Sequence, residues 1–271
     1  MASISVLGDM IQNVGGDRVT VATLVGPDGD PHAFEPRPAD AKALATADLV
    51  VVNGLALEGW LDRLVKASGY EGSVVTAAER VKPREMDEGG KTVPDPHAWQ
   101  DLANGETYVR TIAAGLEAAD PAGKADYERN VQAYLARIGA EDAKVREEIA
   151  RVPEAKRKVV TSHDAFGYFG AAYGVEFAAP EGISDDAEPS AADMRRLIEQ
   201  IRREHIKVLF FESALSPKLV QQVGRETGAR IGGTLYADAL SKPGGPADTY
   251  LGMFEHNVPL LVQAMLAGGE S

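Results

Sequence analysis

A chain of 271 residues, 44% apolar and 25% charged, has globular composition and exceeds the usual size of one domain, so two domains are the starting expectation. Its formal charge of −13 argues against nucleic acid as a partner, since phosphate is bound by clustered Lys and Arg, and favours a cation or a basic partner. The absence of cysteine excludes disulfides, thiol catalysis and thiolate metal sites, and no segment reaches the ~20 apolar residues of a membrane-spanning helix.

Met1-Ala2-Ser3 runs at once into the apolar stretch 4–7, with no basic or long hydrophobic leader ahead of it. On these residues the protein is either cytosolic or an exported protein whose signal has been removed. Short β-branched runs follow at 19–25, 49–53 and 74–76, and a second set at 159–162, 175–177, 206–212 and 231–236. Helical stretches separate them, which predicts βαβ units and mainly parallel sheets. Between the two sets, Tyr127, Val131, Tyr134, Leu135, Ile138, Val145 and Ile149 recur mostly three, four or seven apart, predicting a long stiff helix. The expectation is an α/β protein of two lobes: residues 1–121, a connecting backbone helix over 122–152, and residues 153–271. Lobes joined in this way should move little.

Ser190 with Asp193, and Ser216 followed by Pro217, carry helix-start signals. The segment 83–96 has few apolar residues and is expected to be a mobile acidic loop. No phosphate-binding glycine loop, dinucleotide fingerprint or G-x-S-x-G elbow is present, which removes those enzyme classes.

Three of the five histidines stand in unusual company. Asp30-Pro31-His32-Ala33-Phe34 and Asp95-Pro96-His97-Ala98-Trp99 share one pattern, D-P-H-A-aromatic, and Ser162-His163-Asp164 ends the first strand of the second lobe. Open α/β sheets bind ligands outside the carboxyl ends of their strands, where these loops fall. Each proline restricts its own backbone and that of the residue before it, presenting the histidine from a stiff turn. One such histidine is ordinarily structural; three in matched settings point to metal ligation. Asp238, just past the run 231–236, reads equally as a fourth oxygen donor, a helix cap or a turn former. Three imidazoles and a carboxylate suit Zn²⁺ better than Mg²⁺ or Ca²⁺. The four positions are 65, 66 and 75 residues apart, so only tertiary folding can assemble them, two from each lobe. His205, at the expected end of a helix, and His256, in the C-terminal helix, read as structural, and Glu35 and Glu212 as residues that orient a metal ligand, general bases or solvated residues.

D-P-H-A-F-E-P-R-P-A-D (30–40), A-D-L-V-V-V-N-G-L-A-L-E-G-W-L (47–61), D-P-H-A-W (95–99), S-H-D-A-F-G-Y-F-G-A-A-Y-G (162–174), F-F-E-S (210–213), L-Y-A-D-A-L (235–240) and T-Y-L-G-M-F-E-H-N (249–257) occur in that order. In these the chain resembles the cluster A-I solute-binding proteins of ABC transporters, ZnuA-like and TroA-like, and most closely their zinc-binding members. The resemblance implies a periplasmic or surface-anchored receptor, working as a monomer, that binds one Zn²⁺ between its lobes through His32, His97, His163 and Asp238. An ABC permease is the implied recipient, and a zinc metallochaperone an eligible donor. Manganese-binding members place Glu where this chain has His163, which favours zinc here. Zinc-binding relatives usually carry a long His-rich loop between the first two ligands, and here the segment before His97 is short and lacks His. The rival reading is a zinc hydrolase with His32, His97 and His163 as ligands and Glu35 or Glu212 as general base.

Overall fold

The computed structural model describes residues 1–88, 91–161, 163–178, 190–203, 206, 208–212 and 217–267. The first lobe runs β1 (Ala2–Ile4), α1 (Ser5–Gly15), β2 (Thr23–Val25), α2 (Pro38–Ala45), β3 (Leu49–Val52), α3 (Leu61–Ser68) and β4 (Ser73–Thr76). A hairpin of β5 (Glu85–Glu88) and β6 (Lys91–Pro94) follows, then α4 (Leu102–Ala119) and α5 (Lys124–Ala150). The second lobe runs β7 (Lys158–Val160), α6 (Gly167–Tyr173), β8 (Glu176–Ala178), α7 (Ala191–Arg203), β9 (Val208–Glu212), α8 (Pro217–Thr227), β10 (Arg230–Leu235) and α9 (Tyr250–Ala267).

Both four-stranded sheets are parallel and have the same topology, β2-β1-β3-β4 in the first lobe and β8-β7-β9-β10 in the second. Strand order reverses between β1 and β3, and again between β7 and β9, which places a binding crevice at the carboxyl end of each sheet. All eight runs expected to be strands contribute one. Two boundaries differ by more than two residues. The run 4–7 splits after Ile4, because Val6, Leu7, Met10, Ile11 and Val14 are buried at helical spacing on α1. The run 19–25 pairs only over Thr23–Val25.

The described residues of the segment 83–96 form paired strands rather than the expected loop. Its strands pair antiparallel in the register Glu85↔Pro94, Met86↔Val93, Asp87↔Thr92 and Glu88↔Lys91, and the Asp95 N–H extends the ladder to the Arg84 carbonyl at 3.0 Å. Main-chain pairing gives this acidic stretch order that its side chains do not announce.

The 27-residue α5 is about 40 Å long at ~1.5 Å per residue and braces both lobes. On the first-lobe side, Asn130 Nδ2 donates to the Val14 carbonyl (3.0 Å) and the Tyr134 hydroxyl to Asp9 Oδ2 (3.2 Å). On the other, Asp142 Oδ1 accepts the Tyr173 hydroxyl (2.9 Å) and Arg146 donates to the Ala172 carbonyl (2.9 Å). Among the described residues the main apolar core is continuous through both lobes, from Ile4, Leu7 and Met10 to Phe166, Phe169 and Phe254, and a smaller cluster around Val160, Leu197, Ile201 and Val223 is separate. The two lobes therefore do not each close a private core, which limits how far they can swing apart. Among the described residues no helix is long and apolar enough to cross a membrane.

Ser162, His205 and Ser216 lie outside the described residues, as do the side chains of Asp193 and Glu212. Pro217 opens α8, as its sequence position predicts.

Candidate metal centre

Each of the two D-P-H segments is closed by its own aspartate. Asp30 Oδ1 accepts the His32 N–H (2.8 Å) and the Ala33 N–H (3.3 Å), and Asp95 Oδ1 accepts the His97 N–H (3.0 Å). These Asx turns, with the intervening proline, fix the backbone that presents each imidazole. A further donor holds each proline carbonyl: Trp60 Nε1 reaches that of Pro31 and Asn53 Nδ2 that of Pro96, both at 2.9 Å.

Asn53 is itself seated at the carboxyl end of β3. Its Oδ1 accepts the Tyr108 hydroxyl (2.6 Å), and its N–H donates to Glu58 Oε1 (2.6 Å). Glu58 also accepts the Gly54 N–H (3.1 Å) and the Ser3 hydroxyl (2.6 Å), bracing a turn in which Gly54, Leu55 and Ala56 all have positive φ (86°, 54° and 66°). Burial pushes the Glu58 carboxyl up, against these hydrogen bonds.

From the second lobe come His163, in the turn after β7, and Asp238, three residues past β10. The Asp238 loop is tied to the turn bearing His97, because the Ala237 carbonyl accepts Trp99 Nε1 (2.8 Å) and Gln100 Nε2 (2.9 Å). The Tyr250 hydroxyl, at the start of α9, donates to the Trp99 carbonyl at 2.6 Å.

These turns bring His32, His97, His163 and Asp238 together, with one donor atom from each within 4.8 Å of every other. His32 Nε2 lies 3.3 Å from His97 Nε2 and 3.8 Å from Asp238 Oδ2; His97 Nε2 lies 3.4 Å from Asp238 Oδ1, and His163 Nε2 lies 3.0 Å from Asp238 Oδ2. Four donors around a tetrahedral ion with bonds of about 2.0–2.2 Å are separated by about 3.3–3.6 Å, so the cluster has the dimensions of a small divalent-cation cage. Asp238 Oδ1 is buried and has no hydrogen-bond partner among the described residues, as a carboxylate aimed at a cation would be.

Burial by itself raises the Asp238 pKa, but attraction to His163, His97 and His32 outweighs it and holds the carboxyl well below the usual range. Burial by itself lowers the His97 pKa, but the Asp95 hydrogen bond and the Asp238 charge outweigh it and leave that imidazole above its ordinary value. The Asp95 Oδ1 to His97 Nδ1 contact (2.9 Å) places the proton on Nδ1 and turns the Nε2 lone pair toward the cluster.

Glu35 does not join this cluster. It is exposed and lines a surface depression with Arg37, Lys42, Trp60 and Arg63 between α2 and α3. His256 caps nothing in the centre; its Nε2 meets the Thr234 carbonyl at 3.0 Å. Sequence reasoning missed the supporting residues Asn53, Glu58, Arg84 and Gln100. It also did not read the Asp of D-P-H as a side-chain acceptor, for which the D-x-H spacing of an Asx turn is the available signal.

The chain matches the family model "Zinc-uptake complex component A periplasmic" over residues 1–264. It is 34% identical to the iron-binding protein YfeA of Yersinia pestis, covering 97% of this chain and 85% of that one. It is also 34% identical to the manganese-binding lipoprotein MntA of Bacillus subtilis, covering 97% and 88%. The periplasmic zinc-binding protein TroA of Treponema pallidum superposes with a TM-score of 0.89 at 30% identity, over 97% of each chain. A hydrolase reading has no support in this family, and no general base stands where Glu35 was expected to supply one. The chain belongs to the ZnuA/TroA family of metal-binding, non-enzymatic substrate-binding proteins, which work with the permease and ATPase components of ABC transporters.

Proposed function

We propose that this protein captures Zn²⁺ in the periplasm and hands it to an ABC permease for import. One ion is bound per chain, by His32, His97, His163 and Asp238. The observation that carries the reading is the four-donor cluster, three imidazole nitrogens and one carboxylate within 4.8 Å. The relatives are named for manganese, iron and zinc, so family membership leaves the metal open and donor chemistry must decide it. An N-rich tetrahedral set suits borderline Zn²⁺, whereas Mn²⁺ favours oxygen donors and stands at the weak end of the divalent affinity order. A four-ligand cage leaves no position for a reactive water, in keeping with carriage rather than catalysis.

The division into residues 1–121, the helix 122–152 and residues 153–271 gives each lobe two of the four ligands. Under this reading the protein acts as a monomer, and a periplasmic zinc metallochaperone is an eligible donor. Diffraction from zinc-soaked crystals, recorded on both sides of the zinc edge, tests the site. One anomalous peak bonded to all four side chains is expected. A peak elsewhere, or water in place of Asp238, would contradict it.

A further inference from the structure

The Asp95 carboxylate is 3% exposed and shared between two jobs. Oδ1 is occupied by His97, through both its N–H and its Nδ1. Oδ2 is the oxygen nearest Arg84 and Gly167. Arg84 Nε lies 4.0 Å from Oδ2, and a Cβ placed on Gly167 would come within 2.7 Å of Oδ2 and 3.5 Å of the Arg84 guanidinium. Gly167 opens α6 in the second lobe, four residues past His163. The next residue, Tyr168, accepts the Arg84 N–H on its hydroxyl (2.9 Å) and lies under the Arg84 guanidinium, 5.6 Å from the ring centroid. Gly167 does not have positive φ, and Ala is the better helix former, so backbone conformation does not require glycine here. What requires it is the close approach of the Asp95 carboxylate.

We propose that Arg84 and Gly167 are positioning residues that seat the Asp95 carboxylate behind His97. The wall behind a first-lobe imidazole is thus built partly by the chain that follows His163.

The inference rests on the zinc reading above, and its test separates the two. Full-length Gly167→Ala, Arg84→Ala and Arg84→Lys are stripped of metal, loaded with Zn²⁺ or Co²⁺, and compared with the wild type and with Gly139→Ala. Gly139 is on α5, where an added Cβ meets only Glu106 Oε1 at 3.9 Å. Release of Zn²⁺ into excess chelator should quicken by roughly 10–100-fold in Gly167→Ala and Arg84→Ala, the range in which residues supporting a metal ligand act, and less in Arg84→Lys. The visible absorption of bound Co²⁺ should shift in both Ala variants, and Gly139→Ala should match the wild type in both measurements. In an Asp95→Ala background neither substitution should add to the release rate, a non-additivity that general destabilisation would not produce. Wild-type release rates and Co²⁺ spectra in Gly167→Ala and Arg84→Ala would overturn the proposal while leaving the zinc reading intact. If Gly167→Ala misfolds, the Arg84 variants decide alone. A wild type that takes up neither ion would overturn both.

Discussion

The two D-P-H-A-aromatic turns have the same residue pattern, the same Asx closure and the same bonded proline carbonyl, yet their surroundings set their imidazoles apart. His97 is fully buried, its Nδ1 is held by Asp95, and its neighbour Trp99 is buried and bonded across the lobes to Ala237. His32 keeps a partly exposed side chain, Asp30 contacts only its backbone, and Phe34 packs edge-on against Trp60 at 4.8 Å. A five-residue motif therefore specifies the turn, while the packing around it decides whether the imidazole is locked or can give way. Under the zinc reading, His97 is the more firmly held of the two imidazoles and His32 the less.

The largest expected effect comes from removing donors. His97→Ala, His163→Ala and Asp238→Ala should each weaken zinc binding by more than the roughly 10–100-fold that supporting residues cost, and His32→Ala should be the mildest of the four. Competition against a chromophoric chelator measures this. Asp238 faces all three imidazoles, and Glu35, on another surface, cannot replace it. Equal losses for His32→Ala and His97→Ala would break the comparison between the turns.

Next are the two aspartates. Asp95→Ala should cost roughly 10–100-fold in zinc affinity, because it frees the His97 tautomer and ring orientation. Asp30→Ala should cost less than about tenfold in affinity and about 1 kcal/mol in stability, from lost backbone hydrogen bonds. Titration calorimetry and thermal melts of the metal-free variants separate the two costs.

pH sharpens the same contrast. A ligating imidazole must be neutral, so any proton on the free site has to leave when zinc enters, and affinity rises with pH. The His97 pKa lies above the ordinary value of about 6.5, since Asp95 and Asp238 outweigh the opposing effect of burial; competition there begins at higher pH than for a free histidine. Zinc affinity should fall steeply from pH 7.5 to 5.5, with measurable proton release on binding at pH 7. Asp95→Ala should move that fall to lower pH, and Asp30→Ala should leave it in place. A flat profile between pH 5 and 8 would contradict an imidazole-dominated site.

Smallest is the effect of the β5-β6 hairpin on equilibrium affinity. The four donors lie outside it, so inserting a longer His-containing segment between its strands should leave the dissociation constant within about tenfold, or about 1.4 kcal/mol. Transient ligands on such a segment should speed zinc capture or transfer from a donor protein, which stopped-flow mixing resolves. An unchanged rate with much tighter binding would show that the segment belongs to the site.

Much of this architecture is legible in the sequence because parallel strands read as short β-branched runs and α5 as a long amphipathic period. The run 4–7 was ambiguous because an apolar stretch that ends a strand and begins a buried helix has no period of its own. The hairpin escaped because its strands lack apolar alternation, although the Gly89-Gly90 dipeptide between two four-residue runs was a turn signal. Of the clustered residues, His32, His97 and His163 were legible from their pattern, and Asp238 only through the family resemblance. Their supports were not, because Asn53, Arg84 and Gly167 act through contacts 43, 11 and 72 residues away in sequence, to Pro96 and Asp95.

The central claim is that three imidazoles and Asp238 select zinc as cargo, and competitive titration of the metal-stripped protein with Zn²⁺ and Mn²⁺ tests it most directly. The expected result is one tightly bound Zn²⁺ per chain that excess Mn²⁺ does not displace; a preference for Mn²⁺, or no tight binding of Zn²⁺, would contradict it.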